Sequence, residues 1–165
     1  MKTNRRIVSA TALSALMILL PAAARAQDAP KQQVSASPFL IMYKYFNVEY
    51  EHRATQATTW GLSTSFAPGH SADYRNVAAF WHYYPAGTAL KGFYLGGRVQ
   101  VHHGSSLTDS ATLGGVGFEL GKNWVLGRRT LVGVGVGVTR LFGGPLDGDS
   151  LTLPTFRLAN VGIAF

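Results

Sequence analysis

Phe93-Tyr94-Leu95-Gly96-Gly97-Arg98-Val99-Gln100-Val101 changes character at every step: Phe93, Leu95, Gly97, Val99 and Val101 share one side of an extended chain, and Tyr94, Gly96, Arg98 and Gln100 share the other. Side chains along a strand point to opposite faces with period two, so the segment reads as a strand with one apolar and one polar or small face. Val132, Val134, Val136 and Val138 repeat the pattern, with Gly133, Gly135 and Gly137 between them. Alternation of this kind suits a soluble sandwich or barrel with its apolar faces inside, and equally a membrane barrel with its apolar face outside.

Three features select the membrane barrel. Glycine gathers on the non-apolar face (Gly115, Gly117, Gly133, Gly135, Gly137), where a solvated strand avoids it and the narrow interior of a small barrel has room for little else. Tyr43, Tyr45, Trp60, Trp81, Tyr83, Tyr84 and Trp124 fall near expected strand ends, as amphipathic rings do at the two membrane interfaces. The chain also ends at Phe165, with Ile163 and Val161 on the same face. Such a terminal Phe resembles the assembly signal of bacterial outer-membrane barrels, which implies the barrel assembly machinery as a partner.

Strands are expected near 33–39, 43–52, 58–67, 73–84, 91–103, 111–122, 128–140 and 154–165. Eight is an even number, which lets both termini lie in the periplasm. The fold class is therefore all-β, an eight-stranded antiparallel up-and-down transmembrane β-barrel. Turns near 53–57, 85–90 and 123–127 then fall on the periplasmic side. Connections near 40–42, 68–72, 104–110 and 141–153 fall outside, the last being the longest and richest in Gly, Pro and Asp.

Composition agrees with this plan. Of 165 residues 47% are hydrophobic and 14% charged, with 19 Gly and no Cys, which suits one domain without disulfides. Beyond residue 24 no apolar run approaches the ~18 residues of a spanning helix. Residues 1–26 combine a basic start (Lys2, Arg5, Arg6), an apolar run from Ile7 to Leu20 and the small-residue end Ala24-Arg25-Ala26. This is the layout of a secretory signal peptide, with cleavage expected after Ala26. Cleavage removes four of the 15 Lys and Arg and none of the 8 acids, lowering the formal charge from +7 to +3, so a nucleic-acid partner loses its support. Residues 27–32 read as a disordered lead, and 33–165 as the barrel.

Tyr83-Tyr84-Pro85-Ala86-Gly87-Thr88-Ala89-Leu90-Lys91-Gly92-Phe93-Tyr94-Leu95-Gly96, with Val48-Glu49-Tyr50-Glu51-His52, resembles a family of short, functionally uncharacterised bacterial outer-membrane β-barrel proteins. The resemblance implies a small barrel in the outer membrane, in contact with its lipid, and supplies no catalytic residue or cofactor.

Parity points Asn47, Glu49, Glu51, His82, Arg98 and Glu119 inward. An eight-stranded interior is just wide enough for side chains to fill, and an unpartnered buried charge is costly. The expectation is a mostly filled lumen in which Arg98 pairs with Glu49, Glu51 or Glu119; the alternative is a narrow polar channel. His103 and Ser105 share the outward face, and the pair resembles the His-x-Ser of outer-membrane lipid A deacylases, implying a lipid hydrolase as a further alternative. A downstream acid is needed there, but Glu119 points into the lumen and Asp109 lies in a loop. Polar residues at a water-exposed strand end are the plainer reading, and no enzyme activity is expected. His102 and His103 are adjacent and so point to opposite faces, while His52, His70 and His82 fall on other hairpins. No metal site is expected. A soluble periplasmic lipocalin-like barrel is the architectural rival.

Overall fold

The computed structural model describes residues 30–69, 72–106, 110–143 and 149–165. The expected signal segment lies outside the described residues. Eight antiparallel strands, each hydrogen-bonded to the next in chain order, close into a barrel when the last pairs with the first. They are β1 (Gln32–Ala36), β2 (Phe46–Arg53), β3 (Thr58–Pro68), β4 (Ala72–Tyr83), β5 (Gly92–Ser106), β6 (Ser110–Leu126), β7 (Thr130–Phe142) and β8 (Ser150–Ala164). Closure joins Val34 to Ile163 and Ser35 to Gly162, and Phe165 N donates to Gln32 O at 2.8 Å. We call this the termini end and the opposite one the loop end.

Element edges differ from the sequence reading in three places. Between β1 and β2 stands a one-turn helix, α1 (Pro38–Ile41), with Pro at its start. Tyr43 and Tyr45 therefore precede β2 rather than lying within it. The β6–β7 turn falls at 127–129, where Gly127 takes φ +64°, not at 123–127. Asn123 and Trp124 thus belong to the sheet, the polar Asn123 being accepted because its side chain is buried and bonded within the barrel. Finally, β7 and β8 extend the longest hairpin, so its connection narrows to 143–149.

β8 also carries a bulge. Gly133 pairs with Asn160 and Gly135 with Arg157, so three steps on β8 match two on β7. Ala159, at φ 43°, absorbs the extra residue, and a bulge re-aims every side chain beyond it. Arg157 and Asn160 consequently both face inward, where simple alternation would set them on opposite sides.

The distribution of side chains is the reverse of a soluble core. Buried groups include Gln33, Glu49, Glu51, Asn76, His82, Gln100, Glu119, Asn123, Arg157 and Asn160. On the outward face Val134, Val136 and Val138 are exposed, as are Trp60, Leu62, Val77, Trp81, Val99, Phe118 and Phe156. Apolar burial is confined chiefly to the termini end, where Tyr84, Leu90, Tyr94 and Leu131 are each fully enclosed. The connection after β4 folds over that end, with Tyr84 N bonded to Ala57 O at 2.7 Å and Ala89 N to Gln56 O at 2.8 Å.

Candidate functional site in the barrel interior

All six residues expected to face the lumen do so: Asn47, Glu49 and Glu51 from β2, His82 from β4, Arg98 from β5 and Glu119 from β6. What brings them into contact is the interior glycine. His82, Gly96 and Glu119 occupy one row across β4, β5 and β6. A Cβ on Gly96 would stand 2.6 Å from the His82 ring. Without it the imidazole crosses β5, and its Nε2 meets Glu119 Oε1 at 2.9 Å. On its other side Nδ1 meets Glu51 Oε1, also at 2.9 Å. Facing a carboxylate oxygen through each nitrogen, the ring donates from both when it is protonated.

A second row runs Tyr94, Gly121, Gly135, Arg157 over β5 to β8. The Tyr94 ring lies across both glycines, since a Cβ on Gly121 would be 2.6 Å from its Cζ and one on Gly135 2.7 Å from its Oη. Its hydroxyl accepts from Arg157 Nη1 at 2.9 Å. Arg157 Nη2 pairs with Glu49 Oε2 at 2.6 Å, and Asn160 Nδ2 donates to the same oxygen at 2.7 Å. A third row sets Arg98 and Thr139 on either side of Gly117, and Arg98 Nη2 reaches Glu119 Oε2 at 3.3 Å. Glu51 is the most heavily engaged acceptor, taking bonds from Gln33, Thr59, His82 and the Tyr84 hydroxyl.

Arg98 therefore takes Glu119, while Glu49 and Glu51 are held by Arg157 and His82. With His82 charged, three carboxylates face three cations. That matters because a buried charge persists only when paired and hydrogen-bonded. Alternation alone missed Arg157, whose parity the bulge hides; Asn160, inward by the parity of Val161, Ile163 and Phe165, was not singled out, and Tyr84 and Tyr94 were undervalued. The available signal was composition: three inward acids against one inward arginine call for further cations.

Toward the loop end the packing opens into a cavity of about 230 Å³. Glu49, Arg98, Glu119 and Arg157 form its floor, Asn47, Ser65, Asn76, Gln100 and Thr139 its walls, and Leu40 of α1 with Tyr45, Tyr74 and His102 its upper lining. Asn47 Nδ2 donates to Ser65 Oγ at 3.2 Å, and Tyr74 Oη lies 2.6 Å from His102 Nδ1. Arg98 Nε, Gln100 Nε2 and Thr139 Oγ1 border this space without a hydrogen-bond partner among the described residues. It is a polar cup, closed below.

His103 and Ser105 face outward at the loop end, as their parity requires. His103 pairs with Arg75 in the sheet and Ser105 with Asp73. His103 Nδ1 is engaged by Thr112 Oγ1 at 3.0 Å, and among the described residues no carboxylate pairs with it. Asp109 lies outside the described residues, as does His70. Among the described residues no three His, Asp or Glu converge as a metal site. Val161, Ile163 and Phe165 form an outward row beside β1.

The fold and its interior define a small closed β-barrel, polar within and apolar without. Comparison with protein-family models, curated proteins and solved structures finds no match for the chain.

Proposed function

We propose that the chain is an integral outer-membrane β-barrel, exported by a signal peptide cleaved after Ala26, with a structural or interaction role at the cell surface and neither catalytic nor transport activity. The observation that carries this reading is the inverted distribution of side chains: paired charges and amides inside, Val, Leu, Phe and Trp outside. Water outside would leave that belt unburied, since monomeric soluble proteins rarely expose contiguous apolar patches beyond a few hundred Å². Hydrocarbon outside accommodates it and forbids any unpaired backbone, a condition the closed sheet meets. From Val132 to Phe142 the outward row of β7, apolar but for Arg140 near its loop end, rises roughly 24 Å at ~3.4 Å per residue and ~45° tilt, close to the ~25 Å band of such barrels. A lipocalin-like soluble barrel needs the opposite arrangement, an apolar lumen.

In this reading the termini end is periplasmic, Phe165 with Ile163 and Val161 is offered to the assembly machinery, and the β7–β8 connection within 141–153 is the candidate contact site on the outer side. Cell fractionation followed by electrophoresis with and without heating tests it. The expected result is outer-membrane protein whose unheated band migrates differently from the boiled one. Protein in the soluble periplasm with no heat-shifted band overturns it.

A further inference from the structure

The two rims of the barrel carry different charge. At the termini end stand Lys31, Arg53, Lys91, Lys122, Arg128 and Arg129, and the described residues there include no Asp or Glu outside the lumen. At the loop end Lys44, Arg75 and Arg140 are offset by Asp73 and Asp149, and the connecting sequences add Asp109 and Asp147. The ion pairs Glu51–His82, Glu119–His82, Glu119–Arg98 and Glu49–Arg157 lie within the lumen, and Lys31, Arg53, Lys91, Lys122 and Arg128 enter none of them.

These cations are spread around the rim rather than gathered on one side. Lys31 precedes β1, Arg53 ends β2, Lys91 precedes β5, Lys122 faces outward from β6 and Arg128 sits in the β6–β7 turn. A folded acidic partner needs a one-sided patch. A ring of cations matches a planar annulus of phosphates instead. The neighbouring outward residues agree: Trp60 pairs with Trp81 near this end, and the Lys122 ammonium lies 5.3 Å over the Trp124 ring. Aromatic rings at a membrane interface, with long basic side chains reaching past them to the headgroups, form a recurrent anchoring arrangement.

We propose that the termini-end rim is a binding surface for anionic phospholipid headgroups. The inference rests on the membrane-barrel reading above. Basic residues close to an anionic surface attract it within a Debye length, an attraction that salt weakens.

The chain's three tryptophans, Trp60, Trp81 and Trp124, are all outward and beside this rim, so their fluorescence reports the adjacent lipid. Purified barrel is reconstituted into phosphatidylcholine vesicles containing equal mole fractions of either brominated phosphatidylglycerol or brominated phosphatidylcholine. Stronger quenching by the brominated phosphatidylglycerol is expected, corresponding to a preference of roughly five-fold, the factor one basic residue contributes at such a surface. High salt should shrink the preference. Lys31→Gln, Arg53→Gln, Lys91→Gln, Lys122→Gln, Arg128→Gln and Arg129→Gln combined should abolish it, whereas Lys44→Gln with Arg75→Gln at the loop end should leave it intact. Equal quenching by both lipids, or a preference that survives the six rim substitutions, overturns the inference while the membrane barrel stands. Quenching by neither lipid overturns the membrane barrel itself. Retention of the detergent-solubilised barrel on immobilised polyglutamate, without a lipid preference, overturns it in favour of an acidic protein partner.

Discussion

Arg157 and Arg98 both point into the lumen but are held differently. Arg157 lies against Glu49 at 2.6 Å and the Tyr94 hydroxyl at 2.9 Å. Both arginines border the cavity, but Arg98 is the more exposed, at 14% against 7%, and has Glu119 at 3.3 Å, a carboxylate that His82 also holds. Removing one member of a buried pair leaves its partner uncompensated, at a cost of about 3–5 kcal/mol. Where the cavity can admit water, the stranded carboxylate recovers part of its solvation. Arg157→Ala is therefore expected to lower the urea midpoint of the refolded barrel by the equivalent of ~3–5 kcal/mol, and Arg98→Ala by about half as much. An equal or larger loss for Arg98→Ala would reverse this ranking. The inward direction of Glu49, Glu51, His82, Arg98 and Glu119 was legible because each sits on an uninterrupted alternating strand. Arg157 was not, because a single residue inserted after it changes the parity count.

Strands in this barrel are matched by their glycines as much as by their hydrogen bonds. Parity showed that Gly115, Gly117, Gly133, Gly135 and Gly137 face inward, but not which side chain each one accommodates. That depends on cross-strand register, which no single strand encodes. Gly135→Ala would place a Cβ 2.7 Å from Tyr94 Oη and 3.1 Å from Leu120 O, so overpacking should destabilise the barrel by about 1–3 kcal/mol. Gly114→Ala meets nothing within 4 Å and should be close to neutral. Tyr94→Phe removes the oxygen in the way, so the double variant Gly135→Ala, Tyr94→Phe should cost less than the sum of the singles, by roughly 1 kcal/mol. Strict additivity in urea titrations would show that the ring does not lie where Gly135 requires. The bulge invites a second comparison. Deleting Ala159 restores unbroken alternation and turns Asn160 and Gly162 away from the lumen or Arg157 out of it, so the heat-modifiable form should not be recovered. Ala159→Gly keeps the bulge and relieves a left-handed conformation that costs a non-glycine residue about 1–2 kcal/mol, so it should fold with equal or greater stability. Recovery of a folded deletion variant would mean that β8 pairs in another register.

As a whole molecule, the barrel is a vessel with one end filled. Period-two alternation made the number and antiparallel order of the strands legible, because closure needs only that each segment have one apolar side. The unequal filling of the interior was not legible, since it arises from side chains of different strands meeting at one height. Tyr84 and Tyr94, with ring centroids 5.7 Å apart, lie with His82, Leu90 and Leu131 across the termini end, while the polar cup of about 230 Å³ lies toward the loop end. An ion entering from the loops would meet the Glu49–Arg157 and Arg98–Glu119 pairs and then these enclosed rings. Reconstituted in a planar bilayer, the parent barrel is accordingly expected to show no steady current. Tyr84→Ala with Tyr94→Ala removes two rings that are fully buried in the parent, and discrete conductance steps should appear if the variant retains its heat-shifted migration. The rings leave the ion pairs above them only partly supported, so the steps should be noisy and should grow when Arg98→Ala is added, because the Arg98–Glu119 contact narrows the same passage. Steady conductance by the parent would show that the lumen is a channel despite its filling. A folded double variant with no current would place the barrier at the ion pairs and not at the rings.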